Sequence, residues 1–141
     1  RKHLAKGYLK VHRQRKDFAG KTARTLIQSH DLVAYEDLKI ANLVRNHHLA
    51  KSISDAAWGL FLGWLQYYGM IADVPVVAVP PAFTSQDCSG VLSDGTPCQT
   101  RVHKTLSTRT HMCPQCGLVL DRDENAARNI LAAGQALLAA S

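Results

Sequence analysis

Cysteine is absent before residue 88 and after residue 116; all four fall inside that window. A small secreted domain stapled by disulfides would scatter its cysteines through a core-poor chain, so that class is set aside. A tight cluster in a chain without a signal-peptide pattern points instead to metal binding in a reducing compartment. Long apolar runs are missing too: no stretch reaches the roughly 18 residues of a membrane-spanning helix. Acidic residues are scarce at the front, where residues 1–24 hold nine Lys and Arg against Asp17 alone. No segment repeats another, which argues against solenoids and arrays. The chain does not open on Met but on Arg1-Lys2-His3, inside a polar run, and the expectation is a fragment.

What is present fits one domain, or a domain with a small insert, at 141 residues. An apolar content of 46% is enough for a real core. The net charge of +6 sits at the front, because the remaining residues carry eight Lys and Arg against ten acids. A basic run ahead of a near-neutral remainder suits a polyanion, most simply nucleic acid, with Arg13, Lys16 and Lys21 as candidate contacts. A solvated helix face that is merely basic explains the charge as well.

Leu4, Tyr8, Val11, Phe18, Thr22 and Leu26 recur at helical spacing and predict a first helix with one buried stripe, breakable near Gly20. Leu32 to Tyr35 reads as a short strand with Glu36 and Asp37 at its C-terminal end. Residues 39–50 read as loop. Ile53, Ala56, Ala57, Leu60, Phe61, Trp64, Leu65 and Tyr68 predict a helix from about 53 to 71, whose Trp58, Phe61 and Trp64 serve core and flank. Val74 to Val79 lacks polar alternation, as in a parallel strand covered on both faces, and Pro80-Pro81 ends it. Asp121 with Glu124 resembles a capping box for a last helix, with Ala126, Ile130, Leu131, Ala133, Leu137 and Leu138 as its apolar face. Helix, strand, helix, strand, insert, helix is an α/β order.

Two constellations could carry chemistry. Cys113-Pro114-Gln115-Cys116-Gly117 has the spacing of a zinc knuckle: two intervening residues let both thiolates face one ion, and Gly117 lets the backbone turn beneath it. A redox pair and two unconnected thiols are the competing readings. The other half is irregular, since nine residues separate Cys88 from Cys98 where a knuckle has two to four. His103 and His111 are possible substitute ligands; four Cys ligands are favoured, with His111 in reserve. The second constellation is Glu36 after a strand and Asp123 at a helix start. Sites in open α/β sheets gather at the carboxyl ends of strands, and carboxylate oxygens suit the Mg²⁺ or Mn²⁺ used in phosphodiester cleavage. Alone, the pair is ambiguous, because a first-turn Asp is stabilised by the helix dipole without any function.

The order of the pieces adds a resemblance. Tyr35-Glu36-Asp37-Leu38 precedes a helix starting at Leu49-Ala50-Lys51-Ser52. A valine-rich strand, Thr84-Ser85-Gln86, the Cys-Pro-x-Cys-Gly knuckle and Asp121-Arg122-Asp123-Glu124-Asn125-Ala126-Ala127-Arg128-Asn129-Ile130 follow. Together these resemble the C-terminal region of the TnpB/OrfB insertion-sequence family, whose members go by the name transposase and are related to type V CRISPR effectors. The resemblance implies a partial RNase H-like (RuvC) nuclease domain with an inserted zinc-ribbon-like knuckle. Residues 1–83 would be nuclease, 84–119 the zinc insert, and 120–141 the last nuclease helix. It implies Glu36 and Asp123 as catalytic ligands of Mg²⁺ or Mn²⁺, with Asp37 and Asp121 as neighbours, and Cys88, Cys98, Cys113 and Cys116 as zinc ligands. It further implies a guide RNA and target DNA as partners, and a prokaryotic cytoplasmic, nucleoid-associated setting. The family's first acid, its first strands and its RNA-binding region would precede Arg1, so the chain alone is expected not to cut DNA. The alternatives are a non-catalytic zinc module whose Arg101, Lys104, Arg109 and Arg122 contact phosphates, and a decayed remnant of the element.

Overall fold

The computed structural model describes residues 2–38, 58–105 and 107–140. In chain order its elements are α1 (Lys2–Ser29), β1 (Val33–Glu36), α2 (Trp58–Ala72), β2 (Val76–Val79), β3 (Thr110–Met112), β4 (Val119–Asp121) and α3 (Arg122–Ala139). The mixed α/β order follows the sequence pattern, with a hairpin added inside the cysteine segment. The loop expected at 39–50, and the start of the second helix at 53–57, lie outside the described residues. None of the described helices is long and apolar enough to cross a membrane. The chain divides into two compact units, Arg1–Val33 with Leu38–Val76, and Ala34–Asp37 with Val77–Ser141.

In the first unit α1 packs on α2. Ala23, Ile27 and Leu65 form the buried centre, with Leu26, Phe61, Leu62, Trp64, Tyr68 and Val74 against it. Burying an Ile or Leu side chain contributes about 1.5–3 kcal/mol. α1 runs unbroken through Gly20, and the stripe expected to be buried is only partly so. Leu4, Tyr8, Val11 and Phe18 are exposed, whereas Ala19, Gly20, Ala23 and Ile27 are buried. The reason is close approach: the Trp64 indole lies 3.6 Å from where a Cβ on Gly20 would stand. Small residues, which carry no hydrophobic signal, make that contact. Trp64 also stacks on Tyr68, with ring centroids 5.5 Å apart. α2 ends in a left-handed residue, Asp73 (φ 56°), and the Val74 N–H returns to the Gly69 carbonyl at 2.9 Å. This six-to-one bond is a Schellman close, with Asp in the place Gly usually takes.

β1 and β2 form a two-stranded sheet. Val33 N–H donates to Pro75 O, and Asp37 N–H to Val79 O, the constant offset of parallel strands. Both-face coverage of the second strand does not hold: Val79 is buried but Ala78 is exposed. In the second unit α3 covers one face, where a Cβ on Gly134 would stand 2.7 Å from Ala34 Cβ and 4.0 Å from Val77 Cβ. Asp121 caps α3, its carboxylate accepting from the N–H of Asp123 and Glu124. The apolar face expected for this helix is also corrected. Ala126, Ile130 and Ala133 are half-buried, but Leu131, Leu137 and Leu138 are exposed, and Asn125 and Gly134 are the buried residues.

Candidate metal centre

The knuckle half of the cysteine segment is the turn of a hairpin. β3 pairs antiparallel with β4, His111 opposite Leu120 and Met112 opposite Val119. Across the turn Cys113 N–H donates to Leu118 O at 2.9 Å, and Gly117 N–H to Cys113 O at 3.1 Å. Gly117 sits at φ 75°, where a side chain would be strained.

The irregular half is also a folded-back ladder, which explains its nine-residue gap. Bridges join Asp87 to Arg101 and Val91 to Pro97. Between them Cys98 N–H donates to Gly90 O at 2.8 Å, and beyond the second bridge, toward the tip, Leu92 N–H donates to Thr96 O at 2.8 Å. The Asp94 carboxylate fixes the tip by accepting from Thr96 N–H and its hydroxyl, which hold the Asp94 pKa below the usual range. The extra residues therefore form a small hairpin in which Cys88 stands opposite Thr100 and Cys98 opposite Gly90, two positions apart along the ladder.

The four Sγ atoms of Cys88, Cys98, Cys113 and Cys116 lie within 4.8 Å of one another, and none is in a disulfide. Cys88 to Cys116 is 3.5 Å and Cys98 to Cys113 is 3.6 Å. A tetrahedron with Zn–S bonds of about 2.3 Å has edges of roughly 3.8 Å, so the donor set fits zinc. Burial pushes the Cys88 thiol up to about 12, against the pull of the Gly90 N–H. Burial acts the same way on Cys113, yet the Cys116 and Gln115 N–H groups and the neighbouring thiols bring it down to about 6. Neither His103 nor His111 joins this cluster. His111 is fully buried with both ring nitrogens unpartnered among the described residues, and burial, then Lys104, lowers its pKa.

The carboxylates lie in the same unit as the cysteines. Glu36 ends β1 and accepts a hydrogen bond from the Thr84 hydroxyl. Asp123 stands in the first turn of α3, its side chain 74% exposed and 3.1 Å from Arg122 Nε. Sequence reasoning missed Thr84, Asn125 and Asn129. Asn125 is fully buried, and both asparagines bond the backbone leading into Cys88. The one available signal was their four-residue spacing on a helix, which places them on one face.

The cations expected to meet nucleic acid differ in their surroundings. Arg101 is held by Asp87 at 2.7 and 3.1 Å, with its guanidinium 3.6 Å over the Phe83 ring. Lys104 donates to the Ser85 carbonyl, and burial, then Arg122, lowers its pKa. Arg109 is exposed. In the first unit Arg13, Lys16 and Lys21 line a pocket of about 340 Å³ with Asp17, Gly20, Trp64 and Tyr68. Lys21 is paired with Asp17 at 2.7 Å.

A mixed α/β chain with a four-cysteine cluster inside it is the class this geometry defines, and comparison with known proteins names the family. Residues 58–130 match the Cas12f1-like, TNB domain. A Streptomyces pristinaespiralis protein named for RNA-guided DNA endonuclease activity is 37% identical over 137 residues, 96% of this chain and 32% of its own length. InsQ of Escherichia coli K12, named in the same way, is 33% identical across 89% of this chain and 33% of its own length. The TnpB-like protein L79 of Acanthamoeba polyphaga mimivirus is 27% identical across 95% of this chain and 26% of its own. The chain belongs to the TnpB-type family and contains its Cas12f1-like TNB domain. It spans about a third or less of the length of these relatives.

Proposed function

We propose that this chain is part of an RNA-guided DNA endonuclease and contributes Glu36 and Asp123 to a divalent-metal site for phosphodiester hydrolysis. In this reading β1, β2, α1, α2 and α3 belong to an RNase H-like (RuvC) domain, and the four cysteines hold structural zinc. The observation that carries it is Glu36 at the end of a parallel strand, in the same compact unit as Asp123 at a helix start. Carboxyl ends of parallel strands are where α/β sheets gather their sites. Glu36 and Asp123 would hold Mg²⁺ or Mn²⁺, which supplies an activated water and charge neutralisation at the leaving oxygen. The Thr84 hydroxyl orients the Glu36 carboxylate, and the Asp121 cap fixes the first turn that presents Asp123. Arg13, Lys16 and Arg109 supply phosphate contacts to DNA or guide RNA, and Lys21 does so where it exchanges its Asp17 partner for phosphate. A purely binding zinc finger is less well supported, because Arg101 and Lys104 are engaged within the chain.

The test is Glu36→Ala and Asp123→Ala in the guide-RNA-loaded nuclease. Metal stabilisation amounts to several kcal/mol, so cleavage should fall by roughly 10³-fold while DNA binding is kept. Cleavage unchanged in both variants refutes the assignment.

A further inference from the structure

We infer that Asn125, Asn129 and Thr84 are positioning residues, forming a latch that ties the four-cysteine site and α3 to the Glu36 carboxylate. The part concerning metal at Glu36 rests on the function proposed above; the latch itself does not.

The latch follows from five side-chain hydrogen bonds. Asn125 is 0% exposed, on the inner face of α3. Its Oδ1 accepts from Ser89 N–H at 3.1 Å, and its Nδ2 donates to the Asp87 carbonyl at 2.8 Å. Those peptide groups flank Cys88, so one side chain does for this stretch what a neighbouring strand would do. One turn later, Asn129 Nδ2 donates to the Asp87 carbonyl at 2.6 Å and to the Thr84 carbonyl at 2.8 Å. The Thr84 hydroxyl then donates to Glu36 Oε1. An unbroken series of bonds thus runs from the backbone on both sides of Cys88, through α3, to the strand-end acid. The same helix carries Asp123 two residues before Asn125, so one rigid element fixes one acid directly and the other through Thr84.

Alternative residues fail for stated reasons. Asp at 125 or 129 cannot donate to the carbonyls, and Leu leaves buried backbone groups unpartnered, which costs about 1–3 kcal/mol per group. Glu36 needs a short hydroxyl donor arriving from the segment that enters the cysteine site. Thr84 and Ser supply one, and Val, of the same shape as Thr, does not.

The test uses the zinc-loaded full chain with Glu36 labelled for side-chain carbon relaxation by NMR. Thr84→Val should release the Glu36 side chain, its order parameter falling below about 0.6, while Thr84→Ser restores the wild-type value. Asn129→Ala, which frees the Thr84 carbonyl but leaves Asp87 held by Asn125, should loosen Glu36 in the same direction. Zinc content should be unchanged in all three. Glu36 equally ordered in Thr84→Val and wild type overturns the latch, whether or not Asn129→Ala folds. Sub-stoichiometric Mn²⁺ on the same samples addresses the metal separately. Line broadening near residues 35–37 that Glu36→Gln abolishes supports metal at Glu36. Broadening unaffected by Glu36→Gln refutes metal at Glu36 and leaves the latch to stand or fall on the relaxation result.

Discussion

Replacing Gly134 by Ala sets two known effects against each other at a place where the structure decides the sign. The new methyl carbon would stand 2.7 Å from Ala34 Cβ, 3.9 Å from Ala34 Cα and 4.0 Å from Val77 Cβ. Carbon atoms rest about 3.5–4.0 Å apart, so α3 and β1 must separate by about 1 Å. Ala34 Cβ is bonded straight to the backbone and cannot swing aside. Ala in a helix interior is favoured over Gly by about 1 kcal/mol, whereas overpacking a core costs about 1–3 kcal/mol. The net expectation is a loss of roughly 1 kcal/mol. Gly63, within α2 and with nothing within 4 Å of its Cβ position, supplies the contrast. Gly63→Ala should stabilise by up to about 1 kcal/mol. Urea unfolding of both variants, with Ala34→Gly completing a double-mutant cycle on Gly134→Ala, measures the coupling directly. It should reach about 1 kcal/mol. A Gly134→Ala variant as stabilised as Gly63→Ala would show that α3 does not press on β1, and the fixed relation of α3 to the strand bearing Glu36 would fail with it.

Other outcomes follow from the caps and thiols. Asp121→Ala removes the acceptor for Asp123 and Glu124 N–H and should cost about 1 kcal/mol in unfolding experiments. Asp121→Asn should be nearly neutral for stability and cleavage alike; a large cleavage loss would make Asp121 a ligand instead of a cap. At pH 7 Cys88, pushed up to about 12, and Cys116, also raised, keep their protons, while Cys113 at about 6 has mostly lost its own. Zinc binding requires thiolates, so it should release protons from at least Cys88 and Cys116, and affinity should rise with pH. Calorimetry in buffers of different ionisation heat counts those protons, and release near zero would contradict the assignment.

Local features of this chain were legible in its sequence. The Cys113 knuckle, the Asp121 cap and the apolar run of α2 each depend on residues a few positions apart. Features set by partners distant in sequence were not. Gly20 and Ala23 sit on the tight face of α1 where Trp64 packs, while the more hydrophobic Tyr8 and Phe18 stay exposed. The Cys88–Cys98 gap, irregular for a knuckle by spacing alone, is a ladder paired across the Asp94 turn. Asn125 and Asn129 carry no hydrophobic signal, and the backbone carbonyls they bond, at Asp87 and Thr84, lie some forty residues earlier in sequence. Thr84 is 48 residues from Glu36, a pairing no periodicity reveals.

Anomalous diffraction from crystals of the zinc-loaded chain soaked in Mn²⁺, recorded at both metal edges, tests the two-metal account most directly. The account predicts a zinc peak among the four cysteine sulfurs and a manganese peak shared by the carboxylates of Glu36 and Asp123. Manganese bound by one of these acids while the other faces away, or by neither, would contradict it.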